Sequence, residues 1–190
     1  MNTPNAGAKR EPLSRGPARG FTLIETALAT VIVGVGVLAM VSAQAAFHQK
    51  NSWSTHVSTA MRLGNEIREM TFNLPRHDPV TGDAYWGPEP REDWVGDYDD
   101  VDDFDGEAGN GLVFSAADGT GPINARREVI PGMAGWSQTV RVMCVDPFDI
   151  TSELEDFESS MLRVEVVVHY QGPTDDQPIE ITRVSWIAPK

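Results

Sequence analysis

Between Thr26 and Phe47 the chain carries no Asp, Glu, Lys or Arg, and a single carboxylate, Glu25, stands at the head of that run. A helix of that length, rising about 1.5 Å per residue, matches a hydrocarbon core about 30 Å thick. Because it is apolar on every side, it can be covered only by lipid or by other apolar helices. An ionised side chain inside such a segment costs about 2.5–3.5 kcal/mol on insertion scales, so Glu25 demands a role. The preceding residues include Lys9, Arg10, Arg15 and Arg19 against one acid, Glu11, with Pro4, Pro12 and Pro17. They have no apolar face and read as a disordered basic leader. Positive charge ahead of an apolar span holds that side in the cytoplasm. The expected arrangement is a single-pass protein with everything after Phe47 across the membrane.

The string Arg19-Gly20-Phe21-Thr22-Leu23-Ile24-Glu25 resembles the prepilin peptidase site of type IV pilins and type II secretion pseudopilins. The resemblance implies cleavage after Gly20 and N-methylation of the new terminus, Phe21. It also implies an assembly role for Glu25, whose family counterpart pairs with the terminal amine of a neighbouring subunit. The implied partners are prepilin peptidase, other pilin or pseudopilin subunits and the inner-membrane assembly machinery. The implied location is the inner membrane, with the head in the periplasm or on the cell surface within a filament. A carboxylate in the first helical turn also faces the positive end of the helix dipole. In apolar surroundings its attraction to a cation is weakly screened, which suits a register-setting pair. A secretory signal peptide cut near Ala43-Gln44-Ala45 competes, but the apolar run exceeds the usual h-region of about 7–15 residues and Glu25 is foreign to it. A plain uncleaved anchor explains the length and not the string.

Three segments follow: a leader over 1–20, a transmembrane or filament-core helix over 21–47, and a globular head over 48–190. In the head, Trp53, Val57, Ala60, Met61, Gly64, Ile67, Met70 and Leu74 recur at intervals of three and four, predicting an amphipathic helix over 48–74. Pro75 should stop it. Gly34 and Gly36 mark either a local melting point in the first span or close packing of helices through small residues. Residues 77–111 read as an acidic, turn-rich loop. Strands are expected at 111–115 and 139–145, and as a hairpin of 162–170 with 179–187 across the loop 171–178. The fold class expected is α+β and pilin-like, a long N-terminal helix packed on a small antiparallel sheet spanning 139–188.

Setting aside Glu11, Glu25, Lys9, Arg10, Arg15 and Arg19 leaves the head with 26 acidic and 11 basic residues, about −15. Nine acids fall between Glu92 and Glu107. A hard cation would relieve their repulsion, and calcium suits flexible carboxylate-rich loops; Asp99, Asp100, Asp102, Asp103 and Asp105 are the candidate ligands. The alternative is turn-capping or solvated aspartates, with Val101 and Phe104 dipping into the core. An EF-hand is excluded, because its first position would be Val101 and the closing glutamate is missing. Asp99-Asp100-Val101-Asp102-Asp103-Phe104-Asp105-Gly106 also resembles a segment of minor pilins of the mannose-sensitive haemagglutinin type.

Cys144 is the only cysteine, so no intrachain disulfide forms, and at a strand position it reads as a small buried apolar residue. His48, His56, His77 and His169 lack metal-ligand spacing. No nucleophile elbow or phosphate-binding glycine motif occurs, and no enzyme is expected. Nucleic-acid binding needs a basic stripe, which an acidic head with only Arg126-Arg127 does not offer. The expected function is a minor pilin-like subunit without a required cofactor. A secretion pseudopilin fits the same features, and a membrane-tethered calcium- or ligand-binding domain that never polymerises is the alternative of another class.

Overall fold

The computed structural model describes residues 20–106 and 109–188; the leader expected over 1–20 lies, apart from Gly20, outside the described residues, as does Glu107. The chain divides into two compact units at Gln49 and Lys50. One helix, α1 (Leu23–Thr71), begins in the first unit and ends in the second.

In the first unit, every described residue from Phe21 to His48 is exposed, including Leu28, Val31, Ile32, Val35, Leu38 and Met40. The hydroxyls of Thr26, Thr30 and Ser42 donate to the carbonyls of Leu23, Thr26 and Leu38 at 2.9, 2.8 and 2.9 Å. Those polar groups are thereby satisfied by the helix itself, which is what an apolar solvent requires. This is one helix long and apolar enough to cross a membrane. It runs unbroken through Gly34 and Gly36, where the sequence left open a local melting point.

The second unit is a five-stranded antiparallel sheet with the 50–71 part of α1 laid across one face. The strands are β1 (Leu112–Ser115), β2 (Trp136–Asp146), β3 (Asp149–Glu153), β4 (Leu162–Tyr170) and β5 (Ile179–Ile187). Their order is β1-β2-β4-β5, and β3 pairs with β2 at its far end. Alternation on β2 sends Trp136, Gln138, Val140, Val142 and Cys144 inward, and on β4 Leu162, Val164, Val166 and Val168. The register brings these together in rows: Val140 faces Val166, Val142 faces Val164, and Cys144 faces Leu162. Ala60, Leu63, Ile67 and Met70, at intervals of three and four, cover those rows. Each Val, Leu, Ile or Met side chain so removed from water contributes about 1.5–3 kcal/mol.

Two glycines are dictated by close approach. A Cβ at Gly64 would stand 2.8 Å from Val184 Cγ2, so helix and β5 meet only because the side chain is missing. Gly111, with φ +83°, would place a Cβ 2.3 Å from the Val140 carbonyl oxygen. It is the pivot from which β1 joins β2.

The helix expected to reach Leu74 ends at Thr71. Pro75 disfavours the α conformation at Leu74, whose N–H turns back to the Thr71 carbonyl at 3.2 Å. The Thr71 hydroxyl meanwhile donates to the carbonyls of Ile67 and Arg68 at 3.1 and 3.3 Å. The strand expected at 111–115 is β1, so the sheet extends beyond the expected 139–188, and it also includes β3, for which the sequence offered no signal.

Candidate functional site

Two places carry unusual carboxylates. The first is the start of α1. The Glu25 N–H donates to the Thr22 hydroxyl at 3.3 Å and to the Thr22 carbonyl at 3.1 Å, so Thr22 caps the helix. Thr22-Leu23-Ile24-Glu25 has the sequence of a capping box, of which the Thr22 hydroxyl to Glu25 N–H half is formed. That position holds Glu25 at the positive end of the dipole. Its carboxylate is exposed and has no hydrogen-bond or ion-pair partner among the described residues. Phe21, 77% exposed, precedes it without cover.

The second is in the loop region of the head, where the five candidate aspartates separate by task. Asp105 is structural: its Oδ1 accepts the Val142 N–H of β2 at 3.1 Å and its Oδ2 accepts the Trp86 indole N–H at 3.1 Å. Asp102 lies with its Oδ1 3.1 Å from His77 Nδ1, an ion pair when the imidazole is protonated. His77 in turn packs against Trp86 and Phe157. Between these aspartates Val101 and Phe104 are fully buried, Phe104 edge-on to Tyr98 with ring centroids 5.4 Å apart. A single 3-10 turn, residues 102–105, makes this alternation of directions.

The remaining three converge with two glutamates from an earlier turn. Ligand oxygens of Glu89, Asp100 and Asp103 lie within 4.8 Å of one another, and so do those of Glu92, Asp99 and Asp103. Asp103 Oδ2 accepts the N–H groups of Asp99 and Asp100 at 2.9 and 3.1 Å, and Asp100 Oδ1 accepts the Asp103 N–H at 3.2 Å. Glu89 accepts the Thr81 hydroxyl at 2.6 Å, while Glu92 Oε2 accepts the Glu89 N–H at 3.0 Å. The chain thus winds two turns so that their carboxyls face each other.

The cost of this packing is visible in the acidities. Burial, reinforced by the Asp102 carboxyl, pushes Asp100 up to about 10. Burial also raises Glu92 to about 7 and Asp103 to about 6, against backbone hydrogen bonds that act the other way. Asp99 is raised by burial and by Asp78 and Glu89, with Arg127 offsetting only part. Desolvated like charges disfavour ionisation, so without a counter-charge some of these carboxyls hold protons near neutral pH. Among the described residues, no Lys or Arg forms an ion pair with any of the five.

In the sequence Glu89 lies outside the acidic run that Glu92 opens, and Glu92 stands apart from the aspartates at 99–105, so neither is marked as their partner. The signal that points to them is the pair of prolines at 88 and 90, which forces a turn where a glutamate sits between them. Cys144 is buried and unbridged, its Sγ 3.5 Å from the Ser159 carbonyl oxygen, and burial pushes its thiol above the ordinary value. No protein-family model, curated protein or solved structure matches this chain.

Proposed function

We propose that the protein is a minor pilin-like structural subunit, cut after Gly20 by prepilin peptidase, methylated at Phe21 and assembled into a filament through residues 21–47. The single observation that carries this reading is the Gly20-Phe21-Thr22-Leu23-Ile24-Glu25 string heading an exposed apolar helix, with an unpartnered carboxylate in its first turn. Cleavage would create an α-amine four residues before Glu25. Within one chain the rigid helix keeps that amine on its own terminus, whereas in a bundle the amine of a neighbour can reach the carboxylate.

The driving force is exchange of covers. Apolar side chains leave lipid for like helices, which is nearly neutral for area and gains van der Waals packing. Pairing the anion removes the penalty of about 2.5–3.5 kcal/mol that an unpaired carboxylate meets in apolar surroundings. Subunits shifted along the axis forfeit that gain, so Glu25 sets register. The chain then sits in the inner membrane as a single span, head outward, and its partners are other pilin-type subunits and the inner-membrane assembly machinery. No catalysis and no nucleic-acid binding belong to this role.

The test is in two parts. Mass spectrometry of the native protein should find Phe21 as the amino terminus, one methyl group heavier than unmodified; a terminus at Ala46 or an uncut leader refutes the reading. Glu25→Gln keeps the capping geometry and shape while removing the charge. It should abolish incorporation into filaments with the protein still present in the membrane, and normal incorporation would count against the pairing.

A further inference from the structure

We propose that Glu89, Asp100 and Asp103, with Glu92 and Asp99 beside them, form a binding site for one calcium ion that staples the loops of the head. The inference stands apart from the filament reading and rests on the folded loops alone.

Convergence comes first. Five carboxyls from two chain turns close on Asp103, which belongs to both three-residue groups, and the ligand oxygens in each group lie within 4.8 Å. That limit lets the oxygens of each group share one cation, and a carboxylate-rich loop suits calcium, which takes about six to eight oxygens in flexible geometry, better than magnesium, which demands near-ideal octahedral geometry. The donors are all hard oxygens. His and Cys are missing from both groups, which disfavours zinc.

The second observation is independent of the clustering. Asp103 is 0% exposed, and its Oδ1 is buried without a hydrogen-bond partner, although its Oδ2 takes two backbone N–H groups. Glu89 Oε2 is likewise buried and accepts nothing, although Oε1 takes the Thr81 hydroxyl. Buried carboxylate oxygens with no donor are costly, and native proteins keep them where an ion or a proton completes the shell. Here two such oxygens sit in one cluster. The other half of each carboxylate is already fixed by the backbone or by Thr81, so the ligands are held in place before any ion arrives.

The benefit to the fold is also specific. Among the described residues from Phe72 to Gly111 the regular structure consists of two short 3-10 turns, residues 82–84 and 102–105. No disulfide is available, Cys144 being the only cysteine. A cation joining the Glu89–Glu92 turn to the Asp99–Asp103 turn would lock this segment over Val101 and Phe104.

The experiment uses the full chain purified in detergent and stripped with EDTA. Calcium titrated calorimetrically should bind with one ion per chain and raise the melting temperature, and magnesium at equal concentration should do markedly less. Glu89→Gln and Asp103→Asn should each weaken calcium binding about tenfold or more, since affinity follows the count of charged ligands. Because Asp103 also holds two backbone amides, Glu92→Gln serves as the variant that keeps those bonds, and it too should weaken binding. Absence of heat and of thermal stabilisation, an equal response to magnesium, several weak sites in place of one, or wild-type affinity in Glu89→Gln and Glu92→Gln would overturn the site.

Discussion

Gln138 is the polar side chain on which the packing of helix, loop and sheet most depends. It points inward from β2 and is 0% exposed. Its amide nitrogen donates to the Leu63 carbonyl of α1 at 2.8 Å and to the Ile123 carbonyl at 3.1 Å, and its carbonyl accepts the Ile123 N–H at 2.8 Å. Gln138→Leu keeps nearly the same volume and removes all three bonds. The Ile123 N–H and C=O are then left inside without partners, at about 1–3 kcal/mol each. Burying leucine in place of an amide offsets part of this, about 1.5–2 kcal/mol. With each contribution at the middle of its range a net loss of about 2 kcal/mol follows, equivalent to about 4–8 °C in melting temperature for a domain of this size. All five tryptophans, Trp53, Trp86, Trp94, Trp136 and Trp186, lie in the second unit, so their fluorescence during urea or thermal unfolding reports on the head alone. Gln171→Leu, which loses one exposed bond to the Asp175 carbonyl, is the control and should stay within about 0.5 kcal/mol of wild type. If Gln138→Leu unfolds as late as Gln171→Leu, the reasoning that buried amide partners outweigh apolar gain fails here.

Three further outcomes are expected. Gly64→Ala should destabilise the head by about 1–3 kcal/mol although alanine favours helices, because its Cβ overpacks against Val184, and Val184→Ala should restore part of the loss in the double variant; a stabilised single variant would refute the close approach. Glu66→Ala should cost about 1–2 kcal/mol by orphaning the Ala125 N–H, bonded at 2.9 Å, whereas Glu66→Gln retains an acceptor and should cost less, as urea midpoints would show. Cys144 should resist thiol reagents at pH 8 until urea unfolds the head, since the thiolate is the reactive form and burial raises the thiol above its ordinary 9.0. Its folded value exceeds its unfolded one, so the stability it lends is complete below about pH 9 and is lost as pH rises from there. Urea midpoints at pH 8 and 10 should therefore fall less in Cys144→Ala, and an equal fall would refute the assignment.

How far sequence reached the fold can be judged from particular elements. The β4 strand, Leu162–Tyr170, was legible to the residue because valines alternate with charged side chains and one face is buried. The β5 strand, Ile179–Ile187, was legible from the same period although much of it is half-exposed. The β3 strand was invisible: all five of its residues are exposed, so no burial period marks them. It exists because a tight turn, with the Phe148 N–H on Asp146 Oδ1 at 2.8 Å, returns the chain along β2. Periodicity reads burial, and a strand that buries nothing leaves no trace.

The carboxylate site failed to announce itself for a different reason. A run of acids is ordinarily a solvated face, and composition alone cannot distinguish nine charges in water from five turned toward one another. What turns them inward is the spacing of Val101, at the cap of a 3-10 turn, and Phe104 within it: once both are buried, Asp100, Asp102, Asp103 and Asp105 are carried below the surface with them. Each then needs a partner. Asp105 finds a strand amide and an indole, and Asp102 a histidine, all from residues distant in sequence. Asp100 and Asp103 meet mostly other carboxyls, Glu89 and Glu92 among them. Simple turn-capping explains half of each of these side chains and leaves Asp103 Oδ1 without purpose. The hydrophobic pair therefore does the positioning and the acids inherit the electrostatic cost, which makes Phe104→Ala a second probe of the same site. Losing a fully buried ring should cost about 3–5 kcal/mol by itself, and it should also lower calcium affinity in the fraction that stays folded, though no ligand has been touched. Calcium affinity unchanged in folded Phe104→Ala would mean that the carboxyls hold their places without the buried pair.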